Sequence, residues 1–275
     1  MSTFSDVFAR EEKKYLLNAS QYRAIRETIE GNLVPDEFGF SQVRSLYFDT
    51  PEFSLIEHSL DKPRYKEKLR VRVYGEPSDK AQAFVEIKKK FEGIVYKRRV
   101  SMTLAGARAY LAGMSYEEAC QRFPLADELA GEQSLSLRSI QIAREIDFFR
   151  EHYDRLTASM LVVCERSAFG DPDGGELRIT FDECIGAHPY AESLTEVDAC
   201  VPLTADGEVI MEVKNAGPLP FWLVDCLSGT HAYPQTFSKY GTAYLNLIAP
   251  EEIAAVSVNP RGRHARVTER SKTCA

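Results

Sequence analysis

Cationic side chains recur at every second residue in three short runs of this 275-residue chain. The runs are Lys68-Leu69-Arg70-Val71-Arg72-Val73, Phe84-Val85-Glu86-Ile87-Lys88-Lys89-Lys90-Phe91 and Val95-Tyr96-Lys97-Arg98-Arg99-Val100. Side chains alternate faces along a β-strand, so Lys68, Arg70 and Arg72 share one face. By the same parity Glu86, Lys88 and Lys90 share a face, as do Lys97 and Arg99, while Leu69, Val71, Val73, Val85, Ile87 and Phe91 point the other way. Lys89 and Arg98 fall on the opposite parity. A face so nearly of one sign repels itself unless water or an anion lies against it. Arginine forks grip phosphate oxygens in pairs, and lysines act as mobile point charges, so phosphate chemistry is the candidate.

Other strand-like runs extend the set. Arg10, Glu12 and Lys14 alternate near the N-terminus, followed later by Arg166, by Arg178-x-Thr180-x-Asp182 and by Glu212-x-Lys214, and Ser238-Lys239 opens the last helix. The carboxylates Glu12, Glu86, Asp182 and Glu212 have the same sign as a phosphate. They make sense beside one if a divalent cation bridges the two. Mg²⁺ and Mn²⁺ characteristically take one or two carboxylates plus phosphate oxygens and water. No histidine or cysteine cluster competes with that reading, and the five histidines read as surface or packing residues.

The elements that must position these residues follow from periodicity and punctuation. Strands are expected over residues 8–17, 43–49, 68–73, 84–91, 95–100, 158–169, 176–184 and 209–215. Helices are expected from Asn18 or Ser20 to Glu30, over residues 52–60 and 103–112, from the capping box Ser115-x-x-Glu118, from Ser139, after Pro220, and from Ser238 to about Ile248. Eight antiparallel strands are the right number to close on themselves. The expected fold is therefore α+β, a closed tunnel-like barrel with a charged lumen and helices packed outside. It forms one domain over residues 1–250, followed by a basic tail, 251–275.

Composition bounds the function. The net charge is −7, which argues against a general nucleic-acid binder. Residues 64–99 nevertheless hold 12 Lys and Arg against 5 Asp and Glu, a focused basic segment in an acidic chain. No aromatic residue reads as interleaved with the basic positions, as a base-stacking platform would require. No apolar run is long enough for a membrane span, and no secretory signal is visible, so a cytoplasmic protein with reduced thiols is expected.

Read together, Arg10-x-Glu12-x-Lys14, Ser45-Leu46-Tyr47-Phe48-Asp49, Leu69 to Gly75, Glu86-x-Lys88, Lys97-Arg98-Arg99, Glu165-Arg166, Arg178-x-Thr180-x-Asp182, Glu212-Val213-Lys214 and Ser238-Lys239-Tyr240 resemble the VTC domain. That domain is the polyphosphate polymerase of the vacuolar transporter chaperone, within the CYTH or triphosphate tunnel metalloenzyme superfamily. The resemblance spans roughly residues 8–247 and implies an ATP-dependent polymerase that moves the γ-phosphoryl group onto a growing polyphosphate chain and releases ADP. It implies catalytic roles for Arg70, Arg72, Lys97, Arg166 and Arg178, and substrate binding by Arg10, Lys14, Lys88, Lys90, Arg99, Lys214, Ser238 and Lys239. The metal, Mn²⁺ or Mg²⁺, is then held chiefly by Glu212, with Glu12, Glu86 and Asp182. The implied partners are ATP, polyphosphate, and pyrophosphate or phosphate as primer, with no nucleic acid and no membrane span. The chain resembles a stand-alone, bacterial-type member. A metal-dependent triphosphatase of the same fold and a non-catalytic polyphosphate-binding module are the alternative functions.

Overall fold

Polar–apolar alternation along nine strands gives one antiparallel sheet whose two faces are packed differently. The computed structural model describes residues 11–249 apart from Gly93 and Asp154. Arg10, the start of the expected first strand and the basic tail lie outside the described residues. In chain order the strands are β1 Glu11–Leu17, β2 Val34–Asp49, β3 Tyr65–Tyr74, β4 Gln82–Phe91, β5 Ile94–Thr103, β6 Thr157–Gly170, β7 Arg178–Pro189, β8 Val201–Pro202 and β9 Val209–Asn215. The helices are α1 Ala19–Glu30, α2 Ser54–Leu60, α3 Leu104–Leu111, α4 Tyr116–Arg122, α5 Glu128–Ser134, α6 Leu137–His152, α7 Phe221–Gly229 and α8 Lys239–Leu247.

Local chemistry accounts for most boundaries. Asn18 caps α1 in a reciprocal box with Gln21, Thr103 caps α3, Ser115 caps α4 and Ser238 caps α8. The long helix starts at Ser136, three residues before the expected Ser139 cap; Ser139 lies inside it and donates its hydroxyl to the Gln133 carbonyl. Strand β2 is much longer than its apolar core predicts, because residues 34–42 pair irregularly with β6. At Cys184, where φ is 48°, β7 places an extra residue opposite β6. Such a bulge flips parity. Ile179 and Phe181 thus face one core, and Ile185 and Ala187 face another.

The strand order is β1-β9-β7-β6-β2-β3-β4-β5, with β8 on the side of β7. This corrects the closed barrel: the sheet is an open, strongly curled half-barrel, with a 9 Å gap between its edge strands β1 and β5. Adjacent hydrogen-bonded strands lie about 4.8 Å apart, so no ladder joins the edges across that gap. Two physical reasons stand out. Helices α2 and α8 sit on the concave side, packing Phe53, Ile56, Tyr240 and Tyr244 against Val43, Met160, Val162 and Ile210, and this filling sets the curl. Closing the gap would also press the Lys97 and Arg99 row of β5 toward Lys14 of β1, with Coulomb repulsion opposing the contact.

The convex face carries the remaining helices. Leu69, Val71, Val85, Ile87, Val100 and Met102 pack under α3, α4 and α6. Tyr15, Leu17, Ile179, Phe181, Met211 and Val213 pack under α1 and α7, with Trp222 partly buried at that margin. Lys89 and Arg98, of opposite parity to the basic row, pair with Glu67 and with Glu145 of α6.

Candidate functional site

The concave face is apolar where α2 and α8 cover it and charged elsewhere. Among the described residues, three ion-pair groups stand in the charged part. In the first, β1 and β9 pair in a register that sets Glu12 opposite Lys214 and Lys14 opposite Glu212. The Lys14 ammonium donates to both Glu12 and Glu212, at 2.6 Å from Glu212 Oε2, and Lys214 Nζ lies 2.5 Å from Glu212 Oε1. In the second, Arg70 Nε donates to Glu86 Oε2 at 2.7 Å, with Lys97 Nζ 2.7 Å and Arg99 Nη1 3.8 Å from Oε1. In the third, Arg166 grips Asp182 with two bonds of 2.6 and 2.7 Å, and Lys239 at the start of α8 donates to the same carboxylate.

Groups that the sequence reading used only as a motif hold the arginines. Ser45 and Tyr47 of β2 lie on the same face: Arg72 Nε donates to Ser45 Oγ at 3.0 Å, and Arg70 Nη1 donates to Tyr47 Oη at 3.0 Å. The Tyr47 ring stacks on Tyr240 of α8 at 4.6 Å. Tyr240 donates to Asp49, which also accepts from the Leu55 and Ile56 amides and so caps α2. Lys68 Nζ donates to Ser238 Oγ at 3.2 Å. The parity of Ser45, Tyr47 and Asp49 was the available signal. Tyr74 and Phe84 share the basic face as well, which corrects the reading that no aromatic interleaves the cations.

Electrostatics records how crowded this face is. Burial pushes Glu86 up, but Arg70, Lys97 and Arg72 outweigh it and hold the carboxyl well below its usual range. Burial is likewise outweighed at Asp182, by Lys239 and Arg166, and at Glu212, by Lys214, Lys14 and Arg166. For Glu12, partial burial and the nearby Glu212 push up, and Lys88, Lys14 and Lys214 together bring it down. Lys14, between Glu12 and Glu212, is pushed up, whereas two other lysines are pushed down, which disfavours their charged form. Burial, with Lys66, Lys88 and Arg70 adding to it, brings Lys68 to about 8, and burial with Arg70 and Arg72 brings Lys97 to about 8 against the pull of Glu86. Burial raises the Tyr47 phenol, but Arg70, Arg72 and Lys68 bring it down to about 8.

The sequence candidates are therefore brought together in part. Lys14, Lys214, Glu12 and Glu212 meet at the β1–β9 side, and Lys88 of β4 lies within the field of Glu12, Lys14 and Glu212. Arg178 lies at the rim, where its guanidinium grips Asp36 at 2.5 Å. Lys90 pairs in register with Lys66 at the exposed end of β4. The four acids do not converge, and among the described residues no group of three or more His, Cys, Asp or Glu is placed to hold a metal. Asp182 is held by Arg166 and Lys239, and Glu86 is faced by Arg70, Lys97 and Arg99, although its buried Oε1 has no hydrogen-bond partner among the described residues. Glu12 and Glu212 fit a metal better, since one ammonium already bridges them as a stand-in cation. Thr180, the register partner of Glu212, adds a buried hydroxyl with no hydrogen-bond partner among the described residues. Two carboxylates suffice for Mg²⁺ or Mn²⁺ when a substrate supplies phosphate oxygens. A separate cleft of about 510 Å³ beside α1 sets Arg23 and Arg26 among Glu27, Glu30 and Glu183, without a cationic excess.

The sheet thus concentrates cations on one concave face, with two carboxylates bridged by a cation at its side, and the charge of this trough is complementary to an anion. The VTC domain model matches residues 9–248, and the chain belongs to that family. No curated protein matches the chain. Among solved structures it is similar to a candidate adenylate cyclase from Bacillus halodurans, at 14% identity and a TM-score of 0.43, covering 83% of this chain and 95% of that one. It is also similar to a candidate adenylate cyclase from Vibrio parahaemolyticus, at 10% identity and a TM-score of 0.42, covering 86% and 98%. A third is a Hippeastrum protein reported to have a dominant triphosphatase activity, at 13% identity and a TM-score of 0.43, covering 88% and 98%. These likenesses concern the course of the chain and carry no argument about activity. Among the described residues no helix is long and apolar enough to cross a membrane.

Proposed function

We propose that the trough binds the triphosphate of ATP and that, with a divalent metal, the protein breaks its terminal phosphoanhydride bond. The observation that carries this reading is the excess of cations on one face: Lys68 and Lys97 are both pushed down to about 8 by burial and by their cationic neighbours. A polyanion relieves that crowding. Arg70, Arg72, Lys97 and Arg166 hold phosphate oxygens, with Arg178 at the rim. Lys14, Lys88, Lys214, Lys239, Ser238 and Arg99 complete the cradle. Glu212 and Glu12 hold the metal, which when bound neutralises charge developing on the phosphates. Phosphoryl transfer needs positioning and charge neutralisation more than covalent help, so no strong general base is required of these residues.

Water is the acceptor in the first reading, a metal-dependent triphosphatase, because the 9 Å gap between β1 and β5 leaves one side of the half-barrel unclosed. Transfer to the end of a polyphosphate chain, with pyrophosphate or phosphate as primer, is the second reading. It is favoured by the family and by the lysine pair Lys66 and Lys90 continuing the trough, which among the described residues makes no ion pair with a carboxylate. A cytoplasmic setting belongs to the same proposal. Incubation with ATP and Mn²⁺ tests it. ADP with orthophosphate supports hydrolysis, ADP with polymer resolved on a gel supports polymerisation, and unchanged ATP refutes both.

A further inference from the structure

The trough differs at its two ends. At the end formed by the C-terminus of β3, Tyr74 and Phe84 meet edge to face, with centroids 6.0 Å apart and ring planes at 77°. Each ring carries a guanidinium. Arg99 Cζ lies 4.4 Å from the Phe84 centroid, and Arg72 Cζ lies 5.9 Å from that of Tyr74. Tyr74 keeps 38% of its surface exposed. At the other end the register pairs Lys68 with Lys88 and Lys66 with Lys90, and among the described residues none of these four makes an ion pair with a carboxylate.

Such an L-shaped aromatic corner has two π surfaces and two planar cations, which is what a flat heteroaromatic ring stacks on. A phosphate chain has no use for the rings. Strand rise puts alternate residues about 6.7 Å apart, so Arg70 lies one step and Lys68 two steps down the trough from Arg72 and its register partner Phe84. That spacing suits a nucleoside at the corner with phosphates at the Arg70–Glu86 and Lys68–Lys88 levels, where Glu12 approaches Lys88.

We propose that Tyr74 and Phe84, with Arg72 and Arg99 over their rings, form a nucleobase subsite that directs the triphosphate along β3 and β4 toward the lysine end. This rests on the nucleotide reading given above and assigns the trough a direction: base at the aromatic mouth, phosphate chain toward Lys66 and Lys90.

The test is calorimetric titration, in the presence of Mn²⁺, with two probes, ATP and inorganic tripolyphosphate. Wild type, Tyr74→Ala, Phe84→Leu and Arg70→Ala are compared. Tyr74→Ala and Phe84→Leu are expected to weaken ATP about tenfold and leave tripolyphosphate within about twofold, the range expected for one lost stacking partner. Arg70→Ala weakens both probes. Unchanged ATP affinity in Tyr74→Ala, or an equal loss of both probes, overturns the base subsite while leaving the phosphate-binding trough standing. A wild type that binds neither probe overturns the nucleotide reading and the subsite with it. Tyr74 is exposed, so its variant keeps the test decisive if Phe84→Leu disturbs the sheet.

Discussion

Replacing Glu86 by glutamine separates the structural and binding roles of the basic rows. The side chain is 1% exposed and faces Arg70 at 2.6 Å, Lys97 at 2.7 Å and Arg99 at 3.8 Å. Removing one partner of a buried ion pair costs about 3–5 kcal/mol. The glutamine oxygen still accepts from Arg70, and Lys97 is 40% exposed and therefore screened by water, which lowers the expected loss to about 2–3 kcal/mol. For a domain of this size that corresponds to roughly 5–10 °C in Tm. Saturating tripolyphosphate should shrink the deficit, because phosphate oxygens supply the negative charge that the variant lacks. Acid supplies a second arm. The Glu86 carboxyl is held below its ordinary 4.5, so its stabilisation is fully present above that pH and is lost as pH falls. Wild type and Glu86→Gln should converge on acidification. Differential scanning calorimetry with and without tripolyphosphate reads all three effects. An equal deficit in both conditions, or one below about 0.5 kcal/mol, would refute a cation row held together by its internal carboxylate.

Four further outcomes are expected. Glu212→Gln should weaken Mn²⁺ binding in the presence of tripolyphosphate at least tenfold, and Glu12→Gln less so, whereas Asp182→Asn should leave metal affinity near wild type; isothermal titration with the metal reads this. Arg70→Ala and Lys97→Ala should each lower turnover at least tenfold, since loss of one charge contact in the transition state costs a few kcal/mol. Lys68, Lys97 and Tyr47 all titrate at about 8, so tripolyphosphate affinity should fall as pH rises through 8, as lysines lose charge and the phenol gains it. Stability of the free protein should move the opposite way. Between about 8 and the ordinary values of 10.0 for Tyr and 10.5 for Lys, the unfolded chain binds more protons than the folded one, so these groups make stability rise with pH. Chemical denaturation at pH 7.5 and 9.5 checks the sign.

Parity made the basic face legible. Lys68, Arg70, Arg72, Lys88, Lys97 and Arg99 lie where alternation along β3, β4 and β5 puts them, and Asn18, Thr103, Ser115 and Ser238 cap the helices their side-chain chemistry favours. What alternation could not convey was the pairing of distant strands. The register of β7 against β6 and β9 decides that Asp182 serves Arg166 and Lys239, away from the Glu12–Glu212 pair, and no local pattern encodes that. Closure was illegible for a related reason. The stripe of Tyr240 and Tyr244 on α8 says only that the helix is buried, and its place inside the curl depends on Tyr47, Asp49 and the bulge at Cys184 acting together. Tyr74 and Phe84 share the parity of the basic rows, but the charges on either side of them dominate the pattern.

The most direct test of the account is to follow the terminal phosphate of labelled ATP incubated with the protein and Mn²⁺. The label is expected to leave ATP as orthophosphate or to enter a phosphate polymer, only with the metal present, and Arg70→Ala is expected to abolish most of this release. Label that stays in ATP with folded wild-type protein and saturating metal would contradict the account.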